Sequence, residues 1–175
     1  DLQGPKLRIG DVDEDTNLYV GEKITIKTDK SFKGNKKKLF LNYQNLAKDI
    51  KKGEKILIDD GKIILKVINT NGKNEVTGEV LQGGRLSSNK GFNLPSTNIS
   101  QPALTEKDID DAIFAAKQNV DWIALSFVRN GSDIKSLVKL LESNTSHRIP
   151  VIAKIEKPEG VKNIDEIMKY SSGIM

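Results

Sequence analysis

The stretch PVIAKIE at residues 150–156 decides the fold, because a short apolar run leads directly into a lysine and a glutamate. The apolar part predicts a buried strand. A second mostly apolar stretch, DWIALSFV at residues 121–128, predicts another strand, and amphipathic patterns predict helices before, between and after the two, the last over residues 161–170. Helices and strands therefore alternate through residues 101–175, which predicts consecutive parallel βα units and part of a (β/α)8 barrel of the TIM type.

Residues near the two predicted strands give signals for helix starts and for the core. Thr105, which is followed by acidic residues, predicts the start of the first helix. Ser132 or Asp133 predicts the start of the second helix. The large apolar side chains of Trp122 and Phe127 are predicted to lie in the core.

The first hundred residues show a different pattern, in which short apolar runs are separated by turn residues. The run KITIK at residues 23–27 alternates strictly, as a half-buried strand does. Two further apolar runs flank Asp59-Asp60-Gly61, and an Asp-Gly pair in that setting predicts a tight hairpin. The number and spacing of the strands predict a small closed barrel or sandwich of about 80–90 residues, inserted into the α/β part.

The composition is that of an ordinary globular protein, with 37% hydrophobic and 30% charged residues. It contains no cysteine, which excludes disulfides and thiolate metal sites. The longest apolar runs are too short to cross a bilayer, so we expect no membrane partner. The opening Asp1-Leu2-Gln3 is not typical of a natural start, and we expect a piece of a longer protein.

The net charge of +4 includes a basic cluster between two predicted strands. Such a cluster can bind nucleic acid or a polyanionic nucleotide, but it is also typical of a solvated loop. Residues 1–100 offer few aromatic side chains that could stack on bases, so we expect no nucleic-acid partner. The cluster consists of Lys30, Lys33, Lys36, Lys37 and Lys38.

Lys154 and Glu156 are the residues of the 150–156 stretch that can carry chemistry. They are two positions apart on a predicted strand, so their side chains point to the same side. Lysine can hold an anion, and glutamate can bind a hard cation such as magnesium. Two alternatives stay open at this point: a structural ion pair at the end of the strand, and a lysine that forms a Schiff base with a carbonyl substrate, as in an aldolase.

Two segments where the halves of the chain meet also carry charged residues. Lys90 stands beside a glycine near the end of the β half, and Asp1, Lys6 and Arg8 stand at its beginning. Taken alone, each segment is more typical of a hinge than of a site. Only several such segments in a fixed order identify a function.

Several segments together resemble the pyruvate kinase family, and the resemblance spans nearly the whole chain. The segments follow the family's order and spacing, which makes the set specific although no single segment is. They are DLQGPKLR at residues 1–8, ILIDDG at 56–61, KGFNLP at 90–95, LTEKD at 104–108, SFVR at 126–129 and AKIEKPEGV at 153–161.

The resemblance implies a (β/α)8 barrel with a small β-barrel domain inserted after its third strand. Residues 1–4 would end that strand, residues 5–100 would form the inserted domain, and residues 101–175 would run from the third barrel helix to the start of the sixth strand. It also implies transfer of the phosphoryl group of phosphoenolpyruvate to ADP in glycolysis, giving pyruvate and ATP. We expect a cytoplasmic, homotetrameric parent enzyme, and we expect the isolated 175-residue chain to be inactive.

The resemblance assigns roles residue by residue. Lys154 would stabilise the transferring phosphoryl group and help to deliver a proton to the enolate, and Glu156 would bind Mg²⁺ or Mn²⁺. Arg8 would contact a phosphate, and Lys90 would reach the nucleotide phosphates of ADP or ATP. Asp1 would lie at the family's monovalent-cation site. Phosphoryl transfer depends mainly on positioning and charge neutralisation, for which these residue types are suited.

Lys6 departs from the family pattern at that monovalent-cation site. Most relatives carry a glutamate there, and the family's Asp-Thr pair is here Asp1-Leu2. A fixed ammonium group can substitute electrostatically for a bound monovalent cation, so we expect no potassium requirement. The alternative is that Lys6 pairs with Asp1 or with another surface acid. A further departure is that the chain ends at Met175, before the segment that supplies the family's second magnesium carboxylate.

Overall fold

The structure is a computed structural model that describes residues 1–175. The chain divides into two compact units. One, the β unit, is Lys6–Ser100, and the other, the α/β unit, combines Asp1–Pro5 with Gln101–Met175. No helix is both long and apolar enough to span a membrane.

The β unit is built from eight short strands and one helical turn. The strands are β1 (Asn17–Leu18), β2 (Lys23–Lys27), β3 (Lys38–Phe40), β4 (Lys55–Ile58), β5 (Ile63–Thr70), β6 (Glu75–Gln82), β7 (Gly84–Arg85) and β8 (Phe92–Asn93), and the helix α1 covers Leu46–Asp49. Six strands form one sheet in the order β3-β2-β6-β5-β4-β8, and β1 pairs with β7. Neighbouring strands are antiparallel except β2 and β3, which are parallel.

Alternating side chains give the β unit a core of its own. In β2 the side chains of Ile24 and Ile26 are buried, and Ile26 lies opposite Val76 of β6. The hairpin predicted around Asp59-Asp60-Gly61 is confirmed, because β4 and β5 pair directly across it and all three turn residues have positive φ. Positive φ is tolerated by Asp and Gly, which explains this turn sequence.

The α/β unit alternates helices and strands, as its sequence predicts. Its strands are β9 (Ile123–Leu125), β10 (Val151–Ala153) and β11 (Gly173–Ile174), and its helices are α2 (Glu106–Lys117), α3 (Gly131–Glu142), α4 (Pro158–Lys162) and α5 (Ile164–Met168). The three strands form a parallel sheet in the order β11-β10-β9. Leu2 extends this sheet, because it forms a parallel bridge with Leu125 and its N–H donates to the carbonyl of Ala124 at 2.8 Å.

The two predicted helix starts have different outcomes. Thr105 caps α2 as predicted, since its hydroxyl accepts a hydrogen bond from the Asp108 N–H and the Asp108 carboxylate accepts one from the Thr105 N–H. The prediction that Ser132 or Asp133 caps α3 was wrong. Asn130 is the cap, because its side-chain oxygen accepts from the Asp133 N–H at 3.1 Å and from the Ser132 hydroxyl at 2.6 Å.

The strand and the two aromatic residues predicted over 121–128 also differ from expectation. Trp122 is 52% exposed rather than buried, because the alternation of β9 directs its neighbour Ile123 into the core. Phe127 is only partly buried, and its φ of 58° takes the backbone out of the β region. The strand therefore ends at Leu125 and not at Val128.

The helix predicted over residues 161–170 is divided. Pro158 opens α4 three residues earlier than expected, at a position where the missing N–H of proline costs no helical hydrogen bond. Asn163 ends α4 and precedes α5, and its φ of −103° and ψ of 18° interrupt the helical backbone. The predicted single helix is thus two short ones.

Candidate active site

The carboxyl ends of two neighbouring parallel strands place polar side chains at one edge of the α/β sheet. Ser126 follows β9 directly, and Lys154 follows β10 directly. Backbone hydrogen bonds continue the pairing beyond the strands, from the Lys154 N–H to the Leu125 carbonyl at 3.0 Å and from the Val128 N–H to the Lys154 carbonyl at 3.2 Å. The sheet pairing therefore fixes the two segments side by side.

The Lys154 ammonium group is the centre of this arrangement. Its Nζ lies 3.1 Å from Ser126 Oγ, 3.2 Å from Asp1 Oδ2 and 3.7 Å from Glu156 Oε1. The Lys154 side chain is only 19% exposed, and Ser126 is buried. The ammonium group is thus held by three oxygen atoms, two of which belong to carboxylates. The ion pair between Lys154 and Glu156, left open as an alternative above, is present, and Asp1 joins it.

Glu156 uses its other oxygen to hold an unusual backbone conformation. Its Oε2 accepts a hydrogen bond from the Phe127 N–H at 3.0 Å. Phe127 has a φ of 58°, a left-handed conformation that costs on the order of 1–3 kcal/mol for a bulky residue. Gly4 packs against it so closely that an added Cβ would lie 2.9 Å from Cδ2 of the phenyl ring. The site therefore contains a strained segment that its neighbours stabilise.

A second group of charged residues follows Glu156 in the chain. Lys157 is 6% exposed, and burial lowers the pKa of its ammonium group. The charge of Glu159 opposes that decrease in pKa, whereas the charge of Arg129 adds to it. One carboxylate oxygen of Glu159, Oε2, is buried without a hydrogen-bond partner. Charged side chains are thus concentrated at Lys157 and Glu159 as well as at Lys154 and Glu156.

Arg8 and Lys90 lie on adjacent segments of the β unit. Arg8 forms an antiparallel bridge with Gly91, and its Nη1 donates to the Asn89 carbonyl at 2.6 Å. The Nζ of Lys90 lies 3.1 Å from Asp59 Oδ1, and this hydrogen bond is the main cause that lowers the pKa of the Asp59 carboxyl. The structure therefore brings these two predicted phosphate-binding residues together, while Asp1, Lys154 and Glu156 form the group in the α/β unit.

Lys6 is exposed and belongs to the β unit. Its carbonyl accepts a hydrogen bond from the side-chain amide of Asn42 at 2.9 Å, and its ammonium group forms no ion pair with an acid of that unit. The carboxylate of Asp1, the partner considered in the alternative above, pairs with Lys154. The role of Lys6 as a substitute for a monovalent cation stays a prediction.

Glu156 is the side chain best suited to hold a divalent cation, and Asp1 is the neighbouring carboxylate. The chain contains no group of three or more His, Asp or Glu side chains arranged as a complete metal site. Magnesium is usually bound through one or two carboxylates, and waters and substrate phosphates complete its octahedral coordination. The oxygen donors present fit a magnesium ion of that kind.

Ser126 and the backbone N–H of Phe127 are the site features that the sequence analysis missed. Both were assigned to a strand that continued to Val128, where alternate side chains are expected in the core. The available signal was a polar residue directly after a buried apolar run, the same signal that identified Lys154.

Enzymes with a (β/α)8 barrel place their active-site residues at the carboxyl ends of the parallel strands, which is where Ser126 and Lys154 lie in this chain. All 175 residues match the family described as pyruvate kinase, barrel domain. The chain therefore belongs to the pyruvate kinase family, and the resemblance found in the sequence is confirmed.

Individual relatives agree with this assignment. The chain is 45% identical to a pyruvate kinase of Corynebacterium efficiens over its whole length, which is 36% of that protein. It is 40% identical to a pyruvate kinase of Clostridium acetobutylicum, again over the whole chain and over 37% of the relative. A crystal structure of a pyruvate kinase from Cryptosporidium parvum matches with a TM-score of 0.92 and 34% identity, covering 100% of this chain and 37% of that one. The chain thus spans just over a third of the length of these relatives.

Proposed function

We propose that the protein containing this chain transfers the phosphoryl group of phosphoenolpyruvate to ADP and so forms pyruvate and ATP. The observation that carries the proposal is the Lys154 ammonium group, held by Asp1, Ser126 and Glu156 at the carboxyl edge of a parallel sheet. Membership of the pyruvate kinase family supports it. On that membership alone we also propose a role in glycolysis, a cytoplasmic location and a homotetrameric assembly.

The proposed architecture is a (β/α)8 barrel interrupted after its third strand by an inserted β domain. Residues 1–4 would end the third strand, which is supported by the parallel bridge between Leu2 and Leu125 of β9. Residues 5–100 would be the insert, supported by a separate hydrophobic core. Residues 101–175 would run from the third helix to the start of the sixth strand, supported by the parallel order of β9, β10 and β11.

Lys154 would act on the phosphoryl group and on the enolate. In the reaction the bond between phosphorus and the enol oxygen breaks, a bond from an ADP phosphate oxygen to phosphorus forms, and the enolate gains a proton at carbon. The fixed ammonium group would neutralise charge on the transferring phosphoryl group, where preorganised donors contribute most. It would also help to deliver the proton that completes pyruvate.

Glu156 would hold the divalent cation through a carboxylate oxygen, and Asp1 would lie beside it. The cation, Mg²⁺ or Mn²⁺, would supply charge neutralisation for the substrate oxygens. The hydrogen bond from the Phe127 N–H to Oε2 would fix the orientation of this carboxylate.

Arg8 and Lys90 would bind phosphate groups from the β unit, Lys90 those of the nucleotide. Asp59 holds the Lys90 ammonium at 3.1 Å, so Lys90 would have to exchange this partner for a phosphate. Lys6 would supply a positive charge in place of a bound potassium ion, and the enzyme would need no added monovalent cation. The absence of an ion pair between Lys6 and an acid of its own unit supports this role.

A coupled assay on the full-length protein tests the proposed function. We expect ATP and pyruvate to form in equal amounts from phosphoenolpyruvate and ADP, and we expect formation to depend on Mg²⁺ or Mn²⁺. The absence of product under these conditions would contradict the proposal. Borohydride should not trap a carbonyl substrate on Lys154, since trapping is the result that the aldolase alternative predicts.

A further inference from the structure

A cavity of about 450 Å³ lies in the α/β unit at the amino-terminal ends of β10 and β11. It is therefore at the opposite edge of the sheet from Lys154. The end of α3, the segment 145–149 that connects α3 to β10, and residues 170 and 172 before β11 contribute to its wall. Its volume lies within the range of about 300–1,000 Å³ that is typical of small-molecule sites.

Arg148 lines this cavity, and its guanidinium group has no ion-pair partner in the chain. Its side chain is exposed and forms neither a hydrogen bond nor an ion pair. The planar guanidinium presents several N–H donors in a fixed geometry that matches a carboxylate or a phosphate. An anionic group of a ligand is therefore the chemistry that suits this part of the wall.

Neighbouring polar side chains on the same segment can complete the contact with an anion. Nδ1 of His147 and Oγ1 of Thr145 share a hydrogen bond of 2.6 Å, which orients the imidazole ring and leaves Nε2 without a partner in the chain. The hydroxyl of Ser146 also lacks a partner. Ser146 and His147, which directly precede Arg148, thus offer free polar groups beside it.

The rest of the cavity wall restricts the charge of the ligand and favours an apolar body. Leu141, Ile149 and Val151 are buried apolar residues, and Tyr170 also contributes to the lining. Glu142 also lines the cavity, and the end of α3 carries the negative end of its helix dipole. Both oppose additional negative charge, so one anionic group on an apolar body fits better than a di- or trianion.

We propose that this cavity binds a small organic monocarboxylate with an apolar body. Its carboxylate contacts Arg148, with His147 and Ser146 beside it, and its body packs against Leu141 and Tyr170. The site is distinct from the group around Lys154 and does not depend on the proposed activity.

Isothermal titration calorimetry on the full-length protein tests this site, with benzoate as the probe. We expect saturable binding of benzoate. Benzyl alcohol lacks the carboxylate, benzylammonium reverses the charge, and inorganic phosphate adds charge. Each of these three compounds should bind at least about tenfold more weakly than benzoate. Arg148→Ala should weaken benzoate about tenfold or more, since a hydrogen bond to a charged group contributes about 1.5–3 kcal/mol. Arg148→Lys should retain part of the affinity.

Two control variants locate the site. Lys139→Ala removes an exposed lysine of α3 that does not line the cavity, and it should leave the affinity for benzoate unchanged. Lys154→Ala should also leave it unchanged. The inference is overturned if benzoate does not bind, if Arg148→Ala binds it as the unchanged protein does, if benzylammonium or phosphate binds more tightly, or if Lys154→Ala abolishes binding. None of these results depends on whether phosphoenolpyruvate is a substrate.

Discussion

The exposed ion pairs of the β unit differ from the contacts of Lys154 in the α/β unit. In the β unit, ion pairs such as Lys27 with Glu75 and Lys33 with Asp13 join side chains that are each at least 40% exposed. In the α/β unit, Lys154 is 19% exposed and contacts three oxygen atoms. Surface pairs contribute little, whereas a largely buried charge is costly unless several groups satisfy it. We therefore expect the chemistry at Lys154, a largely buried charge that three oxygen atoms satisfy at the carboxyl edge of the sheet.

The largest effect is expected from removing that charge. Lys154→Ala in the full-length protein should lower kcat by on the order of 10²–10³ and change KM little, because the ammonium group acts where charge develops in the transition state. Steady-state kinetics of the coupled reaction measure both constants. Lys27→Ala, which removes an exposed pair of the β unit, is the matched control and should leave both constants unchanged. If Lys154→Ala raised only KM, the lysine would bind substrate without acting on the reaction.

A smaller effect, on stability, is expected at Gly83 in the β unit. A Cβ added there would overlap the carbonyl group of Leu18, so β1 and β7 would have to separate. Overpacking of this kind costs about 1–3 kcal/mol, and Gly83→Ala should lower the free energy of unfolding by that amount. Gly91→Ala is the control, because the nearest atom to its added Cβ is 3.9 Å away.

Hydrogen exchange distinguishes the two units in this experiment. Gly83→Ala should speed exchange in β5 and β6 and leave β9 and β10 unchanged if each unit is stabilised by its own core. An equal increase in both units would show that their stabilities are coupled and that the β unit is not stabilised by its own core alone.

Local patterns allowed much of this arrangement to be predicted from the sequence. The alternation in β2, the turn at Asp59-Asp60-Gly61 and the capping box at Thr105 each depend on residues close together in the chain. Periodicity and turn chemistry report such local preferences directly. The strand predicted over residues 150–156 was too long, because β10 ends at Ala153, and the side chains of Lys154 and Glu156 approach each other to 3.7 Å in the segment that follows it.

The features that were missed depend on distant contacts or on unusual backbone. Asp1 reaches Lys154 across 153 positions of sequence, and no periodic pattern reports such a contact. Phe127 adopts a positive φ that its residue type disfavours, and it is stabilised there by a hydrogen bond to Glu156. Tertiary contacts override local preference at such positions, which are often functional.

An intermediate effect, on the potassium dependence of the activity, is expected from a substitution at Lys6. Lys6→Glu in the full-length protein should create a potassium requirement, because it replaces the proposed positive charge with the glutamate that the family resemblance implies at this position. We expect potassium chloride to raise kcat/KM of the variant about tenfold, or about 1.4 kcal/mol, relative to a bulky organic chloride salt at equal ionic strength. Lys48→Glu makes the same charge change elsewhere in the β unit and should create no requirement. A large potassium-specific increase in the unchanged protein would show that Lys6 does not replace the cation.

The smallest effect is expected at Asp59 of the β unit, which pairs with Lys62 and Lys90. Hydrogen bonds from Lys90 and then Lys62 lower the pKa of the Asp59 carboxyl below its ordinary value of 3.8. A carboxyl with a lowered pKa stabilises the folded state above its unfolded pKa, and this contribution is lost as the pH falls through the folded pKa. Asp59→Asn should therefore reduce stability slightly at about pH 6, and the difference from the unchanged protein should disappear at about pH 2. Urea unfolding at both pH values measures this difference in stability.

Asp60→Asn is the control, since Asp60 shares the turn and its positive φ but forms no ion pair. A difference that persisted at low pH would mean that Asp59 acts through turn geometry and not through charge.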